Sequence, residues 1–360
     1  MNANLPSITG FGSVSPFGAT AGLLSGLEVE PEPIAAWPNA TLRRAYQVQP
    51  FNPAKLVPGV KTRRLDRLSC WALVAASLAL QDAGVNLDTI DRSRVAVLFA
   101  SGFGCVELTE SFYRSAALNG WTGTDPITFP ETLANAPACH VALFHGLRGP
   151  NLTLGGENFA AEIALLRAAS LLRHGQADRA IVIAGDALSP AVYQWYETAG
   201  LLSPACFVSD PPARSADFVP SEGVAALLLE SGLSTERRGY AQFAGGRYAR
   251  SGDSAQAIRH LFPSVPSLVF SAGNGGPCSC DPPAGVFRSC AGQAFSSQSF
   301  SRNDARIVAS LPVADGLARS GGLFHLLLAL SRRPGSGSAL MLGTAAGGAF
   351  AALRLEVPSS

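Results

Sequence analysis

Residues 152–166, LTLGGENFAAEIALL, place Glu157 and Asn158 directly behind a Gly-Gly turn, at the head of an Ala/Leu-rich helix. A strand, a tight turn and a helix N-terminus together present a nucleophile well. The helix dipole and the free backbone N–H groups stabilise negative charge at that point. Neither a carboxylate nor an amide is a useful nucleophile at neutral pH, so the elbow has the geometry of covalent catalysis without its reagent. Asparagine is also a strong helix N-cap, which leaves Asn158 a purely structural role as well.

Other residues with chemical potential are scattered. Cys105, Leu108 and Phe112 fall at i, i+3 and i+7, one face of a helix. Such a stripe fits ordinary core packing, and it equally fits the lining of an apolar cavity. CSCDPPAGVFRSC supplies three thiols, Cys278, Cys280 and Cys290, without a nearby histidine. Structural zinc wants four ligands at regular spacing, so a plain cysteine-containing loop is the better reading and no metal is expected. His140 has no carboxylate partner evident in the sequence and reads as a packed structural histidine. The glycine-rich stretches GFG and GNGGP lack the strand–GxGxxG–helix context of a dinucleotide site.

The elements that must position these residues alternate between strand and helix patterns, which argues for an α/β protein with buried sheets. SITGFGSVS, RVAVLFASG, NLTLGG, RAIVIAGDA and GVAALLLES read as strands. Between them lie an amphipathic helix over 63–84, the helix VELTESFYRSAALNG, the helix LANAPACHVALFHGL interrupted by Pro137, a helix over 157–174, and the helix PAVYQWYETAGL. The second half repeats the theme more briefly. It runs through strand YAQFAGGRYA, helix SAQAIRHLF, strand LVFSAG, a long loop over 273–304, strand ARIVASLPV, helix DGLARSGGLFHLLLALSRR, and strands SALMLGTAAGG and AFAALRLE. We therefore expect two pseudo-duplicated halves, 1–231 and a shortened 232–360, forming one compact unit.

Composition narrows the function classes. A net charge of +1 gives no reason to expect a nucleic acid or an anionic membrane as partner. The N-terminus lacks a basic region followed by an apolar run, and no apolar stretch reaches spanning length. Seven dispersed cysteines, an odd number, fit a reducing cytoplasm better than a disulfide framework.

HVALFHGLRGPNLTL, QADRAIVIAGDA and FVPSEGVAALLLES, in this order and spacing, resemble the β-ketoacyl synthases of the thiolase superfamily. The resemblance runs from ITGFGSVSPFG near the start to GTAAGGAFAALRLE at the end. It implies a thiolase-like five-layered αβαβα fold, obligate dimers, and acyl chains carried on a phosphopantetheinyl acyl carrier protein, with no other cofactor. In active members of that family a cysteine stands eight residues after the proline of RGP, and here that count from Pro150 reaches Asn158. The two histidine positions of the family fall on Gly273 and Asp315, the lysine position on Ser310, and the usual gating phenylalanine on Ala346. Glycine offers no side-chain donor, and an anionic aspartate repels a developing enolate.

Glu157-Asn158 is similar to the acidic–amide pair that replaces Ala-Cys in the chain-length factors of type II polyketide synthases. Those proteins are the non-catalytic halves of ketosynthase heterodimers. The resemblance implies that the helix carrying Cys105, Leu108 and Phe112 lines an acyl tunnel, and that Phe129 and Leu133 belong to the segment crossing the dimer interface. The expected partners are an active ketosynthase and an acyl carrier protein. The apolar stripe favours a reduced, polyene-type chain over a poly-β-ketone, whose carbonyls want polar partners. Two alternatives stay open at this point: a stand-alone malonyl decarboxylase or acyltransferase with a modified site, and a scaffold without a tunnel.

Overall fold

A computed structural model describes residues 5–24, 32–33, 44–156, 159–202, 219–231, 239–249, 261, 268–273, 306–308, 322–331, 336–344 and 350–358. The first half opens with β1 (Ser7–Ser15), paired in a hairpin with β2 (Gly18–Ala21), and a small ladder of β3 (Glu32–Pro33) with β4 (Arg44–Ala45). There follow the short α1 (Pro53–Leu56), α2 (Arg67–Asp82), β5 (Val95–Ser101), α3 (Val106–Asn119) and α4 (Ala136–His145). β6 (Asn151–Gly155), α5 (Ala160–Arg173), β7 (Arg179–Asp186), α6 (Pro190–Thr198) and β8 (Gly223–Glu230) complete it. The second half contributes β9 (Ala241–Ala249), β10 (Leu268–Gly273), β11 (Arg306–Val308), α7 (Gly322–Ser331), β12 (Gly337–Thr344) and β13 (Phe350–Val357).

The strand order is β11-β10-β12-β13-β9-β1-β8-β7-β5-β6. Its two ends mirror one another. β5 lies between parallel partners β6 and β7, as β10 lies between parallel partners β11 and β12. β7 then pairs antiparallel with β8 and β8 with β1, just as β12 pairs with β13 and β13 with β9. The halves thus share one topology, and they meet in a short antiparallel ladder, Ser7 opposite Gln242 and Ile8 opposite Ala241.

Two apolar cores divide the layers. α5 is built from alanine and leucine with little else on its buried faces, so strands can approach it from both sides. Its Ala164, Leu165 and Ala168 share a core with Leu98 and Val182 of the first half. The same core holds Leu323, Phe324 and Leu327 of α7 and Met341, Leu353 and Leu355 of the second half. α5 and α7 therefore form an inner helical layer between the two halves of the sheet. On the outer face, α2 and α4 cover Val14, Val97, Phe99, Ile181 and Leu228. The helix expected at SAQAIRHLF lies outside the described residues apart from Leu261.

Local chemistry sets the boundaries. α2 starts at Asp66 rather than at 63, because the Asp66 carboxylate accepts the Leu68 N–H at 3.0 Å and caps the helix. Pro137 does not interrupt a helix; it sits in the first turn of α4, where its missing N–H has no intrahelical partner to lose. Gly10 and Gly12 let α2 lie directly on β1. A Cβ at either would fall within 2.2 Å of the Ala79 or Ala75 carbonyl oxygen. This close packing is the role of the first GFG.

The halves are also stapled by a side chain. Tyr240, just before β9, donates its hydroxyl to Asp82 at the end of α2, with Asp82 oxygens at 2.9 and 3.0 Å. Asp82 also accepts the Phe11 N–H at 2.8 Å, and the Tyr240 ring lies 5.3 Å from that of Phe11. Tyr240→Phe removes the donor and keeps the ring. We expect it to lower unfolding free energy by about 1.5–3 kcal/mol, the range for hydrogen bonds to charged groups. Urea titration that shows no change would refute the staple.

Candidate functional site

The two sides of the elbow are described. β6 ends at Gly155, Gly156 turns with φ 71°, and Phe159 stands in the left-handed region at φ 62°, ψ 33° before α5 begins. Glu157 and Asn158 lie outside the described residues, as do Ser310, Asp315 and Ala346. Gly273 ends β10, opposite Thr344 of β12. The helix expected over 157–174 is α5, which begins only at Ala160, and its N-cap position is taken by Phe159 rather than by Asn158.

Phe159 is the one described non-glycine residue with positive φ. That conformation costs an L-residue roughly 1–2 kcal/mol. Burial holds it there: the Phe159 ring is fully enclosed, 6.3 Å from the Tyr248 ring of β9 and against Ala351 of β13. One turn further, Glu162 is buried within α5, and its Oε2 finds no hydrogen-bond partner among the described residues. Burial pushes its pKa up to about 7.

The stripe of Cys105, Leu108 and Phe112 sits on α3 at the C-terminal end of β5. Cys105 caps the helix and is buried, Leu108 is half-buried, and Phe112, 8% exposed, is the buried residue within α3. Burial pushes the Cys105 thiol's pKa up, and the nearby Asp66 carboxylate pushes it further. Such a thiol remains protonated and packs as an apolar group.

Phe129 opens and Leu133 closes the 3₁₀ turn that packs against α3. The Phe112 and Phe129 rings are 5.8 Å apart, and Thr109 Oγ1 donates to the Thr132 carbonyl at 3.0 Å. Phe129 is 48% exposed, Leu133 is also exposed, and Trp121 is 69% exposed close to Tyr113. The structure therefore brings Phe112 of the stripe against Phe129, with Tyr113 and Trp121 next to them. Around the corner, β6 is the terminal strand of the sheet, with Leu152 exposed and Leu143 of α4 more so.

His140 differs from the sequence expectation. Its Nε2 lies 2.8 Å from both carboxylate oxygens of Glu131, so it has the partner the sequence did not reveal. The pair ties α4 to the 3₁₀ turn Phe129–Thr132. The partner is nine residues away in sequence, across a turn, where periodicity carries no signal.

Two further positions were not singled out by type or spacing. Arg67 bonds Glu107 of α3 at 3.0 Å, Glu222 at 3.0 Å and the Leu188 carbonyl at 2.6 Å, with its guanidinium 4.9 Å from the Trp71 ring centroid. Burial raises the pKa of Glu222, and Arg67 opposes that rise. Asp186, buried at the end of β7, accepts the Ser101 hydroxyl and the Gly102 and Phe103 N–H groups just ahead of α3. Among the described residues no cluster of three or more metal-ligating side chains occurs, and Cys278, Cys280 and Cys290 lie outside them. No described helix is long and apolar enough to cross a membrane.

Comparison with known proteins adds the lineage. The family profile for the beta-ketoacyl synthase N-terminal domain matches residues 28–234, more than half of the chain. The 3-oxoacyl-[acyl-carrier-protein] synthase 2 of Vibrio cholerae serotype O1 is 27% identical over 267 residues, 69% of this chain and 63% of that protein. The tetracenomycin polyketide synthase ketoacyl synthase beta subunit of Streptomyces glaucescens is 30% identical over 259 residues, 66% of this chain and 61% of its own. The chain spans less than two thirds of the length of these relatives. The structure of the ishigamide ketosynthase/chain length factor matches with a TM-score of 0.69 at 21% identity, covering 98% of this chain and 99% of that one. The fold is the thiolase-like fold of ketoacyl synthases.

Proposed function

The chain belongs to the β-ketoacyl synthase family, and from that premise we propose that it is a chain-length factor. In this reading it is a non-catalytic subunit that pairs with an active ketosynthase and shapes the tunnel in which an acyl chain, carried on a phosphopantetheinyl acyl carrier protein, grows. The observation that carries the reading is the contact between Phe112 and Phe129. One ring is buried on this subunit's side and the other is half-exposed beside a broad aromatic surface, as suits the end of a path along a subunit boundary. The names of two similar proteins, a ketoacyl synthase beta subunit and a ketosynthase/chain length factor, support it.

The partner surface follows from the same face. Among the described residues β6 offers an open strand edge for pairing, with its own Leu152 and Leu143 of α4 exposed, and Trp121, Ile127 and Phe129 are exposed apolar side chains in the segment after α3. Exposed apolar side chains around an unpaired edge are what a subunit interface covers. The chemistry belongs to the partner. Asn158 cannot carry an acyl group, Gly273 donates nothing from a side chain, and Asp315 opposes an enolate. The apolar stripe favours a reduced chain of the polyene type.

Purified protein incubated with malonyl-acyl carrier protein should release no carbon dioxide by mass spectrometry, whereas co-expression with an active ketosynthase should give a 1:1 complex by light scattering. Asn158→Cys should not create a synthase, because the Gly273 and Asp315 positions still lack donors. Turnover by the protein alone, abolished by Asn158→Ala, would instead establish the decarboxylase alternative.

A further inference from the structure

We propose that Asp186 is a positioning residue for α3, fixing the depth at which Phe112 stands and thereby the length at which chain growth stops. The inference rests on the chain-length reading and adds to it the group that holds the ruler in place.

β5 and β7 are parallel neighbours, so their last residues, Ser101 and Asp186, come out at the same end of the sheet. Both are buried. The Asp186 carboxylate accepts the Ser101 hydroxyl at 2.5 Å and the Phe103 N–H at 2.9 Å on one oxygen, and the Gly102 N–H at 3.1 Å on the other. Ser101 Oγ in turn accepts the Gly104 N–H at 2.7 Å. Three consecutive residues are thus bonded to one carboxylate, and Gly104 is tied to it through Ser101. Gly104 then turns the chain at φ 66° into α3.

α3 has no local means of setting its own start. Its cap residue, Cys105, makes no side-chain capping bond. The opposite side of the loop is held by Phe103, whose ring meets Trp195 and Tyr196 of α6 edge-on at 6.1 and 6.0 Å. The loop leading into α3 is therefore clamped between an anion and an aromatic pair. A helix is stiff over two turns, so a shift at Cys105 is carried to Phe112, about 10 Å along the axis. An asparagine at 186 keeps the shape but presents an NH2 where one of the N–H donors needs an acceptor. The loop must then give way.

The test uses the heterodimer reconstituted with an active ketosynthase and carrier protein, with Phe112→Ala as reference. Asp186→Asn should raise amide exchange at 102–104 and broaden the distribution of released chain lengths, increasing the minor products several-fold. Ser101→Ala, a milder change at the same clamp, should move it in the same direction. If Asp186→Asn folds and leaves the distribution unchanged while Phe112→Ala shifts it, the positioning role is overturned and the chain-length reading stands. Should Asp186→Asn fail to fold, an unchanged distribution in Ser101→Ala overturns it equally. If Phe112→Ala itself changes nothing, the chain-length reading falls and this role falls with it.

Discussion

Replacing Glu162 with glutamine should raise stability at pH 8 by on the order of 3 kcal/mol and leave it nearly unchanged below pH 4.5. Glu162 is buried in α5 with an unpartnered carboxyl oxygen, and burial lifts its pKa from 4.5 to about 7. Because the folded-state value is the higher one, the native protein holds this proton more tightly than the unfolded chain. Stability from this group is complete below pH 4.5, declines as pH rises toward 7, and is lost above it. Each pKa unit is worth about 1.4 kcal/mol, which sets the size of the effect. Glutamine mimics the protonated acid and removes the titration. Chemical denaturation of both proteins at pH 4.5, 6, 7 and 8 is the measurement. Parallel stability profiles would mean that the carboxylate finds a counter-charge or water when ionised.

The second large effect is expected at Phe112. Its ring is buried on α3 and leans on Phe129 and Tyr113. Under the chain-length reading, Phe112→Ala opens the end of the tunnel, and the reconstituted heterodimer should release products longer by about the length a benzyl group vacates. Leu108→Trp, about one turn nearer the cap, should shorten them. If the position is only core, Phe112→Ala leaves a cavity costing about 3–5 kcal/mol and no change in chain length. The two outcomes separate cleanly when products are compared at equal heterodimer concentration. Wild-type distributions from both variants, with normal folding, would move length control away from this helix.

The long periodic elements were legible because burial imposes a period on them. The stripe Cys105–Leu108–Phe112 announced the inward face of α3, and the near-continuous apolar runs of β5, β7 and β8 announced strands covered on both faces. Pro137 misled because proline marks a helix start as well as a break. Glu162 carried a signal that could have been used: an acid between Ala161 and Leu165, on the core-facing rows of the helix. Asp186 and Arg67 were not legible, since each works on partners brought together only by sheet order and helix packing. The same holds for Glu131 and His140. The strand before the Gly-Gly turn and the Ala/Leu helix after it were legible, but nothing in LTLGGENFAAEIALL distinguishes Phe159 as the residue that takes the left-handed conformation.

Among the described residues β6 closes the sheet with a free edge and has an exposed leucine of its own, Leu152, and one on α4, Leu143. An edge of that kind is a template for any strand that reaches it, including another copy of itself. Its consequence is one of supply. Under the chain-length-factor reading, molecules made in excess of their partner keep the edge open and aggregate in proportion to the surplus, while a surplus of partner leaves them soluble. The ratio at which two proteins are synthesised thus becomes a physical constraint written into one five-residue strand, and titrating one expression level against the other would read it out directly.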